Sequence, residues 1–538
     1  MLLSVAANLS SAQSFSVLHN FGSVSEDPQK PSYTGIVAQG RDGNLYTTAQ
    51  AGGTGKGGAV FKVTPGGKFT VVYNFDGTHG VTPYGGLTLG TDSNFYGTTT
   101  SGGSGCCGVV FKITPGGMVT VLHSFGGGSD GGVPEAPPIQ GTDGNFYGTT
   151  AGPVPGAPCG TVYMVTPSGV LKTIFTFPGS ASKGCNSFAP LVQGTDGNFY
   201  GTTTVGGFNG DGVLFKITPS GQLNVLFNFD KAHGSQPVAP VIQASDGNFY
   251  GTTAFGGADN GGVVFRMTPS GMVSVLHSFN GNPDGAHPNA GLVQGNGGNL
   301  YGAAGELGVK GFGTIYQISL GGGYSVLYNF DNTTGAYPNV TLMEHTNGSF
   351  YGDTTQGGTG NVSPCASDTC GVFFTLSEGL GPFASLVSTS GAVGKSIGIL
   401  GQGFTGTTRV TFRGKLATFT VMSDTYLTAT VPTGAETGSV AVTTPSRTLT
   451  SNKIFRVTPQ IKTFTPASGK VGTPVKITGV SLTQTTQVTF GGVKATSFKV
   501  NSDTQVTATV PTGAKTGRIV ITTPGGTTSS ATSFTVTP

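Results

Sequence analysis

Apolar positions between residues 15 and 380 fall in short runs that keep one order and repeat. In one unit the runs are Leu191-Val192, Phe199-Tyr200, Val213-Leu214-Phe215 with Ile217, and Val225-Leu226-Phe227. Aromatic and β-branched residues in runs this short, set between glycine-rich stretches, are strand signals. No segment carries an extended helical period. Each unit therefore reads as four strands, a to d. Strands a and b are joined by Asp-Gly at Asp42-Gly43, Asp143-Gly144, Asp196-Gly197 and Asp246-Gly247, a pair suited to the left-handed torsions of a tight hairpin. Strands c and d are joined by turns such as Thr218-Pro219-Ser220-Gly221, in which Pro ends one strand and Gly reverses the chain.

Seven copies follow one another. The strand-b tyrosines are Tyr46, Tyr96, Tyr147, Tyr200, Tyr250, Tyr301 and Tyr351, spaced 50 to 53 residues apart. Four-stranded units repeated in this way are the signature of a propeller. The phase of the repeat predicts how it closes. The chain opens with a lone d strand, Phe15 to Phe21, and the seventh unit has no d strand after Leu376. The N-terminal strand is expected to complete the last blade, removing two sheet edges that would otherwise template aggregation. After Gly381-Pro382 the pattern changes. Ser390-Gly391 matches Ser468-Gly469, and Ala429 to Ala435 matches Ala508 to Ala514. Two Thr- and Val-rich copies with short alternating strands predict small antiparallel sandwiches. The expected fold is all-β: a seven-bladed β-propeller closed by an N-terminal outer strand over 13–382, then immunoglobulin-like sandwiches over 383–458 and 459–538.

Composition narrows the class. The chain holds 94 Gly among 538 residues, a bias that would suggest disorder without a period. Charged residues make up only 9 %, against about 25 % in an ordinary domain. The formal charge of +3 is thinly spread, and with no basic stripe no nucleic-acid partner is expected. No apolar run is long enough for a transmembrane helix. Residues 1–12 are expected to be a signal-peptide remnant, with small Ser10 and Ala12 before a cut at Gln13 and the basic region missing.

The unit Gly-Thr-Asp-Gly-Asn-Phe-Tyr-Gly-Thr-Thr, followed by Gly-Val-Val-Phe-Lys-Ile-Thr-Pro, resembles the GloVer-type tandem repeat of bacterial exported proteins. Phe464-Thr465-Pro466, Ser468-Gly469, Gly472-Thr473 and Val475 to Gly479 resemble IPT/TIG domains, and the first copy departs with Leu386-Val387-Ser388 in place of Phe-Thr-Pro. The resemblance implies a secreted or cell-surface location and an immunoglobulin-like tail. It implies no reaction.

Six cysteines fall in loops, and none has zinc-finger spacing. In a four-stranded blade the b–c and d–a loops share one face. Cys159 in a b–c loop and Cys185 in the next d–a loop are expected to bridge. Cys365 and Cys370 are candidates for a bridge within one long b–c loop. Cys106-Cys107 is either a vicinal disulfide or reduced.

The a–b and c–d turns are short and uniform, whereas the b–c and d–a loops vary, which is where recognition resides on a rigid scaffold. Candidate contacts are Tyr84, Phe208, Phe255, Phe312 and Tyr337, with His79, His233, His287, Asp76, Asp230 and Asp284 in the d–a loops. His19, His123 and His277 fill an aromatic slot of strand d and read as packing. The Asp-Gly-Asn turns lack the spaced carboxylates of a calcium loop. The Gly-Gly runs lack the Lys and helix of a phosphate loop, and no nucleophile elbow is present. No catalytic residue, metal or cofactor is expected. The expected function is non-catalytic binding or adhesion at the cell surface, with an extracellular polysaccharide or surface protein as ligand. The alternatives are a polysaccharide lyase or hydrolase working at the central opening, and a purely structural spacer.

Overall fold

The computed structural model describes residues 13–24, 26–31, 36–152, 159–178, 181–360 and 370–538. The expected signal segment 1–12 lies outside the described residues. The chain divides between Gly381 and Pro382 into two compact units.

The first unit contains seven antiparallel sheets, each running a, b, c, d. The fourth is formed by Val192–Gln193, Phe199–Thr203, Val213–Ile217 and Leu223–Asn228. Strand d carries a bulge at the same point in every sheet: Leu214 opposes Phe227, and Phe215 opposes Val225. A bulge raises local twist, as the outer strand of a blade requires. Ser14–Asn20 lies antiparallel to Val372–Ser377, with Ser16 opposite Thr375, and completes the seventh sheet. Phe15 on this strand stacks on Tyr328 of the sixth sheet at 3.8 Å between centroids and packs against Phe374. The first sheet has a fifth strand that the repeat pattern did not predict. Its b strand runs eight residues, Leu45–Gly52, and the added length pairs with Pro28–Pro31.

Neighbouring sheets are joined by three recurring contacts. The strand-b tyrosine stacks on the strand-b phenylalanine of the next sheet: Tyr46 on Phe95, Tyr96 on Phe146, Tyr147 on Phe199, Tyr200 on Phe249 and Tyr301 on Phe350, at 3.7 to 4.2 Å. Leu300 replaces the phenylalanine beside Tyr250, and Leu45 replaces it beside Tyr351. The strand-a glutamine reaches back to accept a backbone N–H from the preceding a–b turn. Thr91 donates to Gln140, Thr142 to Gln193, Thr195 to Gln243 and Ser245 to Gln294, at 2.8 to 2.9 Å. Thr346 donates to Gln39 at 3.1 Å, carrying the same bond from the seventh sheet to the first. Finally, a buried strand-b threonine donates across the gap: Thr98 to the Ala136 carbonyl, Thr149 to Ala189, Thr202 to Ala239 and Thr252 to Ala290.

The seventh sheet breaks two of these rules. Glu344 stands in the glutamine slot and accepts the Asn296 amide at 3.0 Å. Burial pushes its carboxyl up to about 7 against that hydrogen bond. Asp353 stands in the threonine slot. It is fully buried, and among the described residues neither carboxylate oxygen has a hydrogen-bond partner. Burial holds its carboxyl well above the usual range.

The second unit holds two sandwiches. In the first, the sheet with Ser396–Leu400 and Tyr426–Thr430 faces the one with Arg409–Phe412 and Val440–Thr443, around Ile399, Phe404, Phe412 and Phe455. The second repeats this around Ile477, Phe490, Ile521 and Phe534. The Thr437 amide donates to Gln484 Oε1 at 2.8 Å between them.

Two outcomes follow. Phe15→Ala, by weakening the closing strand, should cost about 2 kcal/mol, since Phe15 is only half-buried and a fully buried Phe costs about 3–5; denaturant midpoints measure it. Asp353→Thr should stabilise the protein by about 1–3 kcal/mol at neutral pH, the cost of an unsatisfied buried polar group. Because the folded-state pKa of Asp353 is raised, the ionisation part of its penalty is absent below the unfolded pKa and grows as pH rises. The gain in Tm over the parent should therefore shrink as pH falls towards about 4.

Candidate binding face

The d–a loops are pinned to the strands they leave. Where strand d offers His, the loop offers Asp: His19 Nε2 lies 3.1 Å from Asp27 Oδ2, His123 from Asp130, and His277 from Asp284, each at the same distance. Three of the four Tyr or Phe residues at this point of strand d meet a cation or His from the loop, while the fourth, Tyr328, stacks on Phe15 instead. Tyr73 Oη is 2.9 Å from His79 Nδ1, Phe227 meets the His233 ring edge-on, and Lys183 Nζ lies over Phe175. His79 and His233 also reach Asp76 and Asp230, three residues before them. The His79 amide, bonded to Asp76, draws that carboxyl below its ordinary range. Burial pushes the Asp130 carboxyl up, but the Gly126 amide and His123 outweigh it and leave it lowered.

The b–c loops are pinned as well. Asn74, Asn228, Asn329 and Asn20 on strand d accept the amides of Thr54, Phe208, Val309 and Thr359 at 2.9 to 3.2 Å. Both loop sets on this face are thus held by bonds internal to the scaffold.

Against that uniform frame one position varies. Lys30, Thr82, Val133, Asn186, Gln236, His287 and Tyr337 are equivalent residues of the seven d–a loops, and all seven have left-handed φ, between 50° and 59°. All but Asn186 precede a proline. From Thr82 onward each donates its amide to the b–c loop of one sheet and accepts, through its carbonyl, an amide of the next. Thr82 bonds Gly57 O at 2.8 Å and receives Thr100 N; Gln236 bonds Asp211 O at 2.9 Å and receives Ala254 N. A bulky or β-branched residue at this φ is an outlier that costs of order 1–3 kcal/mol. Glycine would remove that cost. At the neighbouring left-handed position that opens strand c the chain does use glycine, because a Cβ on Gly58 or Gly212 would collide with the carbonyl oxygen of Ala49 or Thr203. Among the described residues the side chains of Lys30, Thr82, Gln236 and Tyr337 make no hydrogen bond.

The structure sorts the candidates named from sequence. Phe208 tips a b–c loop, 83 % exposed. Tyr84 is half-buried, two residues beyond Thr82. Phe255 lies against the His287 ring at 4.8 Å, and Phe312 packs into the core of the sixth and seventh sheets. His287 and Asp284, though in one loop, do not pair with each other. His287 Nδ1 pairs with Glu306 at 3.0 Å, and Asp284 pairs with His277. The sixth loop is out of step: Asp284, not His287, occupies the slot that His79 and His233 fill. His19, His123 and His277 do more than pack, since each anchors a loop Asp. Sequence reasoning passed over the left-handed ring except for His287 and Tyr337, although the recurring X-Pro dipeptide marked it. It also passed over Glu135, two residues after Val133, whose carboxyl burial pushes up to about 7.

Among the described residues two disulfides lie in the loops of this face. Cys159–Cys185 links a b–c loop to the next d–a loop, and Cys106–Cys107 is a vicinal pair. Cys370 is also disulfide-bonded; Cys365 lies outside the described residues. Among the described residues no helix is long and apolar enough to cross a membrane.

The Gloeobacter/Verrucomicrobia repeat matches residues 7–193, 138–366 and 186–414. The IPT/TIG domain matches 382–455 and 459–536. No curated protein matches the chain. Among solved structures the chain is similar to a surface glycan-binding protein from Prevotella bryantii, at 18 % identity over 27 % of this chain and 38 % of that one, with a TM-score of 0.22. It is similar to a second such protein, from a xyloglucan utilization locus in Bacteroides uniformis, at 22 % identity over 28 % and 48 %, with a TM-score of 0.15. The chain spans less than half the length of either. A fungal alcohol oxidase in complex with copper aligns at 12 % identity over 80 % of this chain and 98 % of its own, with a TM-score of 0.41. All three scores are low and bear on neither ligand nor reaction.

The double variant Cys159→Ala/Cys185→Ala opens a link between residues 26 apart. It should lose about 3–4 kcal/mol in the chain-entropy picture, read from thermal or denaturant unfolding of the oxidised proteins.

Proposed function

The chain belongs to the Gloeobacter/Verrucomicrobia repeat family, and from that premise we propose that it is a secreted or cell-surface, non-catalytic binding protein that uses the b–c and d–a loop face. The observation that carries this reading is the contrast on that face. The backbone is clamped in the same way from blade to blade, while the side chains it presents differ. A loop ordered before it meets its ligand loses little entropy on binding, and changing side chains on a constant frame is how scaffolds acquire recognition. The disulfides at these loops fit an oxidising, extracellular setting. The ligand class is an extracellular polysaccharide or a surface protein.

A polysaccharide-active enzyme is the second reading, and Glu135 is what favours it. A carboxyl titrating near neutrality can serve as a general acid.

One experiment separates the readings. The parent, a variant with the b–c loops of the fourth and fifth sheets shortened, and Glu135→Gln are applied to arrays of glycans and extracellular proteins and assayed for release of reducing ends. Binding that disappears on loop shortening and survives Glu135→Gln, without turnover, is the expected result. Unchanged binding by the shortened variant overturns the loop-face reading, and turnover abolished by Glu135→Gln replaces it with the enzyme.

A further inference from the structure

The seven left-handed residues raise a physical question that their clamps do not answer. The clamps, present at the six positions from Thr82 onward, use only backbone atoms, so any residue could make them. Glycine would make them without strain. The chain nonetheless places a side chain at all seven positions. These side chains contribute little to the fold: Lys30 and Gln236 are exposed, and Thr82, Val133, Asn186 and Tyr337 are half-buried. Strain kept where the fold does not require it points to function.

Their chemistry is specific. Thr82, Asn186, Gln236 and Tyr337 are uncharged and combine hydrogen-bond donors and acceptors, which matches hydroxyl groups that do both. Lys30 is the one residue of the ring with a fixed positive charge, and a ligand rich in carboxylate or sulfate would call for several Lys or Arg. Aromatic rings stand near the ring: Tyr337 within it, and Tyr84 and Phe188 two residues beyond Thr82 and Asn186. Both Tyr84 and Phe188 are half-buried, leaving part of each ring to meet an apolar sugar face. His287 is tied to Glu306 and Phe255 and serves less well. The positions recur once per blade, so a polymer lying across the face meets several of them and a single sugar meets few.

We infer that the ring Lys30, Thr82, Val133, Asn186, Gln236, His287 and Tyr337 is a contact ring for a neutral, polyhydroxylated polysaccharide. This rests on the binding reading above and names the ligand class and the residues that take it.

The test uses the full chain and a quadruple variant, Thr82→Gly, Asn186→Gly, Gln236→Gly and Tyr337→Gly. Tm is measured for both. Affinity is measured by gel retardation and calorimetry against soluble β-glucan, mannan and arabinogalactan, with polygalacturonate as the anionic comparison. The expected result is an unchanged or higher Tm, because strain is relieved, together with at least about a tenfold loss of affinity for a neutral polysaccharide. A lowered Tm would make the ring structural and overturn the inference. Unchanged affinity in the quadruple variant, with binding lost in Phe208→Ser, would overturn the ring while leaving the loop face as the binding site. A parent that binds only polygalacturonate overturns the ligand class. A parent that binds none of these polysaccharides overturns the inference, and the array result then decides the broader reading by itself.

Discussion

Contact between neighbouring blades is the interaction on which the rest of the first unit depends. A four-stranded sheet of this size has little core of its own. Its strand-b tyrosine is buried only because the next sheet supplies a phenylalanine or leucine to cover it, and its a–b turn is satisfied partly by the next sheet's glutamine. Such a unit needs a neighbour on each side. A linear stack would leave the first and last units exposed, whereas a ring supplies every unit with both neighbours. The bond from Thr346 to Gln39 and the pairing of Ser14–Asn20 with Val372–Ser377 are the last contacts of that kind.

Closure leaves the loops of one face as the place where blades can differ without disturbing their neighbours. The latches there come in matched pairs. A histidine on strand d is met by an aspartate, and Tyr73, Phe227 and Phe175 are met by a histidine or lysine. The ring of left-handed residues lies between two fixed hydrogen bonds, so its side chains vary over a backbone that does not. The seventh blade departs most from the rule. Glu344 and Asp353 bring carboxyl groups into slots that are neutral elsewhere, in the sheet that the N-terminal strand completes.

Much of this was legible without coordinates. The alternation of short apolar runs and glycine turns determined four strands per unit, and the spacing of the strand-b tyrosines determined seven units. The displaced d strand determined how the last sheet is completed. The positions of Cys159 and Cys185, in loops of one face, led to their bridge. These are properties of local pattern and order, which a chain carries along its length.

Tertiary structure decided what depends on partners distant in sequence. Asp284 chose His277 over His287, a choice set by where the loop crosses strand d rather than by spacing. The extra strand Pro28–Pro31 exists because a longer b strand offered it an edge. The left-handed ring stayed hidden because φ at Thr82 or Gln236 is imposed by clamps to two different sheets, and nothing in the residue itself requires it. The isolation of Asp353 likewise follows from burial against a neighbouring blade. A one-dimensional pattern records which residues repeat; only the folded ring determines what each repeat touches.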